Sequence, residues 1–238
     1  MKGRGTALAL AASLLIGNCA VFDVNIVEAE INDHKVDKKI FKWVQSSSRM
    51  GYYFNQEQIC YKVVNGEIDL DTLIVPVLKV YDPVQIKDTV DKRRWHMQSL
   101  NGFGDLVGRS EFAEIKISSR TVTIGQAHYL DSTWTTIESF KPDTVMKLDE
   151  MSDKNLEKIF FTSVLDYAQR HQLELALRTR GDLHQELQDK IAQQQQEYID
   201  SKDNPEKYAA DQAAKAAQAE KDKKKNKKKK KNKDKDKK

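Results

Sequence analysis

Cysteine is almost missing from this chain of 238 residues; there are two, Cys19 and Cys60. If an N-terminal leader is removed, only Cys60 remains, so no intrachain disulfide can form and a cysteine-based zinc site is excluded. Flanked by Ile59 and Tyr61, Cys60 reads as a small buried hydrophobe in a strand. Histidine is also sparse. His34, His96, His128, His171 and His184 make no HxxxH or HExxH pair. There is no GxSxG, no phosphate-binding loop and no SxxK. Gly102, Gly104 and Gly108 give GxGxxxG, which is not the dinucleotide fingerprint and has no βαβ setting, so it reads as a turn. These absences point away from an enzyme, and no cofactor or metal is expected.

Charge is plentiful but uneven. Residues 221–238 hold thirteen Lys and three Asp, a net of +10. The whole chain is +4, so residues 1–220 carry −6. Lys2 and Arg4 balance Asp23 and Glu28, which leaves the −6 on residues 30–220. A mildly acidic body therefore carries a strongly basic tail.

The N-terminus has the grammar of an export signal. Lys2 and Arg4 precede the apolar run Ala7–Gly17, which is too short to span a bilayer. Val27-Glu28-Ala29 supplies small residues at the right spacing for a cut between Ala29 and Glu30. A rival reading makes Cys19 a lipid-modified N-terminus, but Asn18 stands where a small residue is usual; an uncleaved anchor is the third. The expected location is the periplasm or cell surface.

The expected organisation is a signal peptide over 1–29, a sheet-plus-helix domain over 30–181, a helical extension or linker over 182–220 and a disordered poly-Lys tail over 221–238. Ile40–Gln45, Tyr52–Phe54 and Ile59–Val64 have strand composition. Asn65-Gly66 is a hairpin turn. Ile68–Tyr81 follows, interrupted by Pro76, which predicts an edge strand, a bulge or two shorter strands. Lys87–Arg94 reads as a loop or short helix and Trp95–Leu100 as a candidate strand. Alternation returns in Phe112–Ile117, where Ile115 and Ile117 share a face, in Val122, Ile124 and Gln126, and in Trp134–Phe140. Ser152 is the expected N-cap of a helix, with Met151 and Leu156 as a hydrophobic staple. Its stripe is Leu156, Ile159, Phe160, Val164 and Tyr167. The fold class is thus α+β, an antiparallel sheet of five to seven strands covered by a C-terminal amphipathic helix. Leu183, Leu187, Ile191 and Tyr198 then mark a narrow stripe in a Gln-rich helix that Pro205 stops.

Three weak constellations complete the search. His128, Asp131 and Ser132 can be drawn as a dyad with a nucleophile. Asp69 and Asp71 share a strand face and could hold Ca²⁺. Trp43, Tyr52, Tyr53 and Tyr61 suit core or sheet packing better than a ligand platform. In the tail, Lys223, Lys224, Lys225, Lys227, Lys228, Lys229, Lys230 and Lys231 are the candidate contacts to an anionic envelope polymer or membrane surface. The tail has no aromatic residue and no arginine, which argues against nucleic acid.

Trp43-Val44-Gln45-Ser46, then Tyr52-Tyr53-Phe54-Asn55, then a strand with Ile59 and Tyr61, further strands and a closing helix resemble the surface-adhesin protein E family and small exported proteins of diderm bacteria. The resemblance covers about residues 40–170. It implies the same sheet-and-helix fold, an exported location and binding of a host or envelope protein. The Gln-rich extension and Lys tail depart from that compact pattern. The functional expectation is a non-enzymatic exported binding module, with two rivals: an exported hydrolase using His96 or His128, and a periplasmic assembly helper acting through its helical extension.

Overall fold

The structure, a computed structural model, describes residues 36–214. The leader with Cys19, Ala29 and Glu30, and the tail lysines Lys223–Lys231, lie outside the described residues. The described residues form an α+β fold, with eight antiparallel strands in one sheet. They are β1 (Phe41–Ser46), β2 (Met50–Asn55), β3 (Cys60–Val64), β4 (Glu67–Tyr81), β5 (Leu106–Lys116), β6 (Thr121–Asp131), β7 (Thr136–Phe140) and β8 (Thr144–Lys147). The helices are α1 (Pro83–Trp95), α2 (Leu156–Arg170), α3 (Gln172–Thr179) and α4 (Gln185–Asp203). The strands run β1-β2-β4-β5-β6-β7, with β3 also paired to β4 and β8 to β6.

Two compact units share the described chain, 36–168 with 174–183, and 169–173 with 184–214. The first holds the sheet. Its hairpin β3–β4 turns on Asn65 (φ 52°) and Gly66 (φ 82°), the two left-handed residues that a type I′ turn needs. Strand β4 is a single central strand of 15 residues, not the interrupted edge expected of Pro76. On one edge β3 pairs with Ile74 and residues before it, and β2 pairs with Val77 and residues after it. Pro76 falls between these stretches, where that edge changes partner, so its missing N–H breaks no ladder there. On the other edge it faces Phe112 of β5.

A bulge corrects a second expectation. Ala113 pairs with Ile124 and Phe112 with Gln126, so Gly125 is the extra residue of β6. Val122 and Ile124 share a buried face, and the bulge moves Gln126 to the other one and brings Ala127 into the core.

At residues 83–100 the structure decides for the helix over the loop at Lys87–Arg94 and does not form the strand expected after it. Asp82 caps α1 by accepting from the Gln85 N–H at 2.7 Å, and Pro83 occupies the first helical position. The helix runs through the charged segment to Trp95, and no strand follows at Trp95–Leu100. Ile86 and Val90 of α1 pack on the cluster Tyr81, Phe103 and Leu106.

Helix α2 begins later than Ser152 implies. Asn155 is the capping residue; its Oδ1 accepts from the N–H groups of Glu157 (2.9 Å) and Lys158 (3.3 Å). Met151 therefore lies too far upstream to staple Leu156. The buried face is Phe160, Phe161, Val164, Leu165 and Ala168, rotated from the expected stripe, and Leu156 and Ile159 stand exposed. Phe160 meets Tyr52, and Tyr167 meets Phe54 edge-on, so α2 covers the face of the sheet that carries those β2 residues. From α3, Arg178 donates to the carbonyls of Gln56 (2.7 Å) and Ile59 (3.0 Å), at the two ends of the β2–β3 connection.

In the second unit, α4 stops at Asp203 and Pro205 opens a further helical stretch over 205–214. Arg170 grips the Asp203 carboxylate with both terminal nitrogens, and the Leu173 N–H donates to the Gln195 side chain at 3.0 Å.

Candidate functional site

Strand register decides which side chains meet. Tyr52, Lys79, Arg109, Tyr129 and Glu138 are successive partners across β2, β4, β5, β6 and β7, so they form one row on the helix-covered face. One residue along, Trp43, Tyr53, Leu78, Ser110, His128 and Ser139 form a parallel row on the opposite face, and it reaches β1.

The first row contains a buried ion network. Lys79 and Glu111 are each 1% exposed. The Lys79 ammonium donates to Glu157 Oε1 at 2.8 Å and lies 3.0 Å from Glu111 Oε2, outside hydrogen-bonding geometry. Arg109 Nη2 lies 2.6 Å from Glu111 Oε1. Two cations thus share two carboxylates, and the charges balance. Burial opposes the Arg109 charge, but the Glu111 carboxylate, with Tyr81 and Glu157 behind it, outweighs burial and raises the guanidinium further. Tyr52, beneath the Lys79 ammonium, has its phenol pushed up to about 12, first by burial and then by Glu157. The four charges of the network are thus paired with one another, with the Tyr52 phenol beside them. The network does tie the first turn of α2 to the sheet, where the Glu157 carboxylate also suits the helix dipole.

A second cation anchors α1. Arg93 donates to both Glu138 oxygens (2.8 and 2.6 Å) and to the Ser99 carbonyl from Nε and Nη2. Its guanidinium stacks 3.9 Å from the Phe103 ring centre. Tyr129, which completes this corner, stacks on Phe140. Nothing in the alternation of β4, β5 or β7 distinguishes Lys79, Glu111 or Glu138 from ordinary solvent-facing strand residues, so sequence reasoning missed both networks.

The expected constellations come apart in three dimensions. His128 is buried; its Nδ1 bonds Ser139 Oγ at 2.8 Å, and its Nε2 has no hydrogen-bond partner among the described residues. Burial lowers its pKa. Asp131 is occupied by its own turn, accepting from Thr133 and Thr135, and Ser132 donates instead to Asp105. The His128, Asp131 and Ser132 grouping is therefore not assembled. Asp69 accepts from Thr72 and from the Asp71 N–H, and Asp71 is taken up by Ser118 N–H and Oγ. Among the described residues no cluster of three or more His, Cys, Asp or Glu could hold a metal ion. His96 is exposed beyond the end of α1. Cys60 is buried in β3, as its flanks imply. Gly102 (φ 80°) sits in a turn, and Gly108 lies in β5 against the Lys79 carbonyl.

The aromatic residues divide. Tyr52 and Tyr61 are core, whereas Tyr53 is half-buried and Trp43 is 57% exposed. The Trp43 ring is held by its Nε1 donating to Ser46 Oγ at 3.0 Å. Tyr53 lies over Gly51, whose missing side chain leaves room for the ring. Half-buried Pro76, Val80 and Phe112 share this face with them. Lys62 and Glu114, paired at 2.8 Å, add a polar rim. An apolar, aromatic patch with a polar edge has the composition of a binding surface.

No family model, curated protein or solved structure matches the chain. Among the described residues no helix is long and apolar enough to cross a membrane.

Proposed function

We propose that this chain is a non-enzymatic exported binding module of the cell envelope or surface, adhesin-like, in which a sheet face contacts a protein partner and the basic tail attaches to anionic surfaces. The observation that carries the reading is the Trp43–Tyr53 row. A tryptophan pinned by a hydrogen bond yet more than half exposed is an aromatic anchor at low entropic cost. The buried networks support it indirectly, because their charges are consumed in holding α1 and α2 to the sheet. The export signal ending at Ala29, the lysines from Lys223 to Lys231 and the resemblance to the surface-adhesin protein E family point the same way.

The two halves of the proposal separate experimentally. Deleting residues 221–238 should remove most of the salt-sensitive retention on isolated envelopes, since contacts made by lysine alone are screened. In the tail-less chain, Trp43→Ala should lower the salt-resistant retention that is left. Retention that ignores both the deletion and the salt concentration sinks the electrostatic half; retention untouched by Trp43→Ala sinks the sheet-face half.

A further inference from the structure

The end of α1 holds the two most exposed large apolar side chains among the described residues. Trp95 is 86% exposed and Met97 95%. They are not loosely attached. The Gln98 N–H bonds the Arg93 carbonyl at 2.9 Å and the Met97 N–H bonds the Arg94 carbonyl at 3.1 Å, the paired bonds of a Schellman turn. The left-handed residue of that turn is Met97, with φ 52°. Glycine is usual there because a side chain on left-handed backbone is strained. Here an unbranched apolar side chain occupies the strained position and buries almost nothing. Beneath it, Arg93 locks the turn through Ser99, Glu138 and Phe103. A rigid base therefore holds out two greasy side chains.

The surroundings are cationic. In the ion pairs of this corner Arg49, Lys87, Arg93 and Arg94 face Asp88, Asp91 and Glu138, four cations against three carboxylates, and Lys92 adds a further positive charge. Arg94 directly precedes Trp95, Lys92 lies three residues before it, and His96 lies between Trp95 and Met97. Basic residues in a last helical turn also complement the helix dipole. That accounts for the charges but not for the tryptophan or for the strained methionine.

We infer that the Trp95–Met97 tip is a membrane-contact site that inserts these two side chains into the interfacial zone of an anionic lipid bilayer. Tryptophan settles at the headgroup boundary, where its ring is buried and its N–H stays wet. Methionine is flexible enough to enter disordered acyl chains. The flanking cations would meet lipid phosphates, and apolar burial with electrostatic attraction is the usual pairing for interfacial binding. A protein partner is the less suitable occupant. Side chains this exposed, at the end of a helix, need a partner that closes around them, and lipid does so without a preformed pocket. The inference stands apart from the sheet face and from the tail.

The test reads Trp95 itself. In full-length protein carrying Trp43→Phe and Trp134→Phe, excited where tyrosine does not absorb, Trp95 is the one source of tryptophan emission. Added vesicles of phosphatidylglycerol and phosphatidylcholine in equal parts should shift its emission to the blue, and brominated acyl chains should quench it. Pure phosphatidylcholine should give a much smaller shift. Met97→Ser should weaken the shift several-fold while leaving the fold intact, because the side chain buries almost nothing that could be lost. Met97→Gly should relieve the turn, raise thermal stability and still weaken the shift, an opposition that a purely structural role would not produce. Emission that stays at its aqueous wavelength while the protein co-sediments with the vesicles would overturn the inference, since the tail alone would then account for binding. So would a blue shift that grows with protein concentration in the absence of lipid, which would mark a second copy as the occupant.

Discussion

Lys79 and Arg109 stand directly opposite each other across the β4–β5 ladder, two cations in register on the covered face of the sheet. Like charges so placed repel. Glu111 reconciles them by lying between the Lys79 ammonium at 3.0 Å and the Arg109 guanidinium at 2.6 Å. Removing that carboxylate should leave buried positive charge uncompensated. Glu111→Ala is expected to lower unfolding free energy by about 3–5 kcal/mol in urea titrations. The double variant Lys79→Met, Glu111→Leu removes both ions and should lose clearly less than Glu111→Ala alone. Equal losses from the two proteins would show that the ions are not coupled.

His128 gives the fold an acid-sensitive point. Burial holds its folded pKa below the unfolded value of about 6.5. The unfolded chain therefore binds the proton more readily. The stabilisation is complete above the unfolded pKa and is lost as pH falls from there through the folded pKa. Stability should begin to decline as pH falls through the unfolded value of about 6.5. Asp69, with its pKa lowered by its bond from Thr72, contributes a separate loss at lower pH. Denaturation midpoints measured across the upper window should flatten in His128→Gln. A slope that persists in the variant would assign the effect to another group.

At the alkaline end the tyrosines act in the opposite sense. Burial lifts the Tyr52 and Tyr61 phenols from 10.0 to about 12. A raised folded pKa stabilises the protein below the unfolded value and loses that contribution as pH rises through the folded one. Ultraviolet titration should show some phenols ionising near pH 10 and a second group delayed until the fold opens. Tyr52→Phe and Tyr61→Phe should each remove part of the delayed amplitude. If every phenol titrates together near pH 10, these rings are not buried in solution.

Local chemistry was legible in the sequence where neighbours along the chain decide it. Asn65-Gly66 specifies its hairpin without help, and the alternation of Val122 and Ile124 identifies their buried face. Pro76 misled because its tolerance depends on β2 and β3 sharing one edge of β4, a long-range fact. Helix α1 was legible only as one of two readings, a loop or a short helix over Lys87–Arg94, because it buries polar residues, Thr89 and Arg93, among its apolar contacts, so no clean stripe appears. Its start was written in Asp82-Pro83, which serves equally as the end of a strand and as a helix cap. The face of α2 was misplaced because Ser152 and Asn155 are both good caps, and only the contacts with Tyr52 and Phe54 choose between them. The ion network left no local mark, because Lys79 and Glu111 read as polar positions of alternating strands until register brings them together. The tip at Trp95 and Met97 was obscured for a related reason. Apolar residues after a charged run suggest a strand, and only the Schellman bonds show that the chain turns there instead.

The GxGxxxG glycines can be separated by the space around them. A Cβ added to Gly108 would sit 2.4 Å from the Lys79 carbonyl oxygen and 3.2 Å from the Val80 Cα, both backbone atoms of the neighbouring strand. Neither can swing aside as a side chain does, so β4 and β5 would have to part beside the Lys79–Glu111 network. Gly108→Ala should therefore cost about 1–3 kcal/mol, the usual range for overpacking, and loosen the covered face. At Gly104 a Cβ would meet no atom within 4 Å, and the backbone there is not left-handed. Gly104→Ala should be close to neutral in the same urea titration. A ligand-binding glycine loop would suffer in function at all three glycines with little change in stability, whereas packing predicts a large stability loss at Gly108 and almost none at Gly104. Comparable stability losses at the two positions would contradict the close approach of β4 and β5.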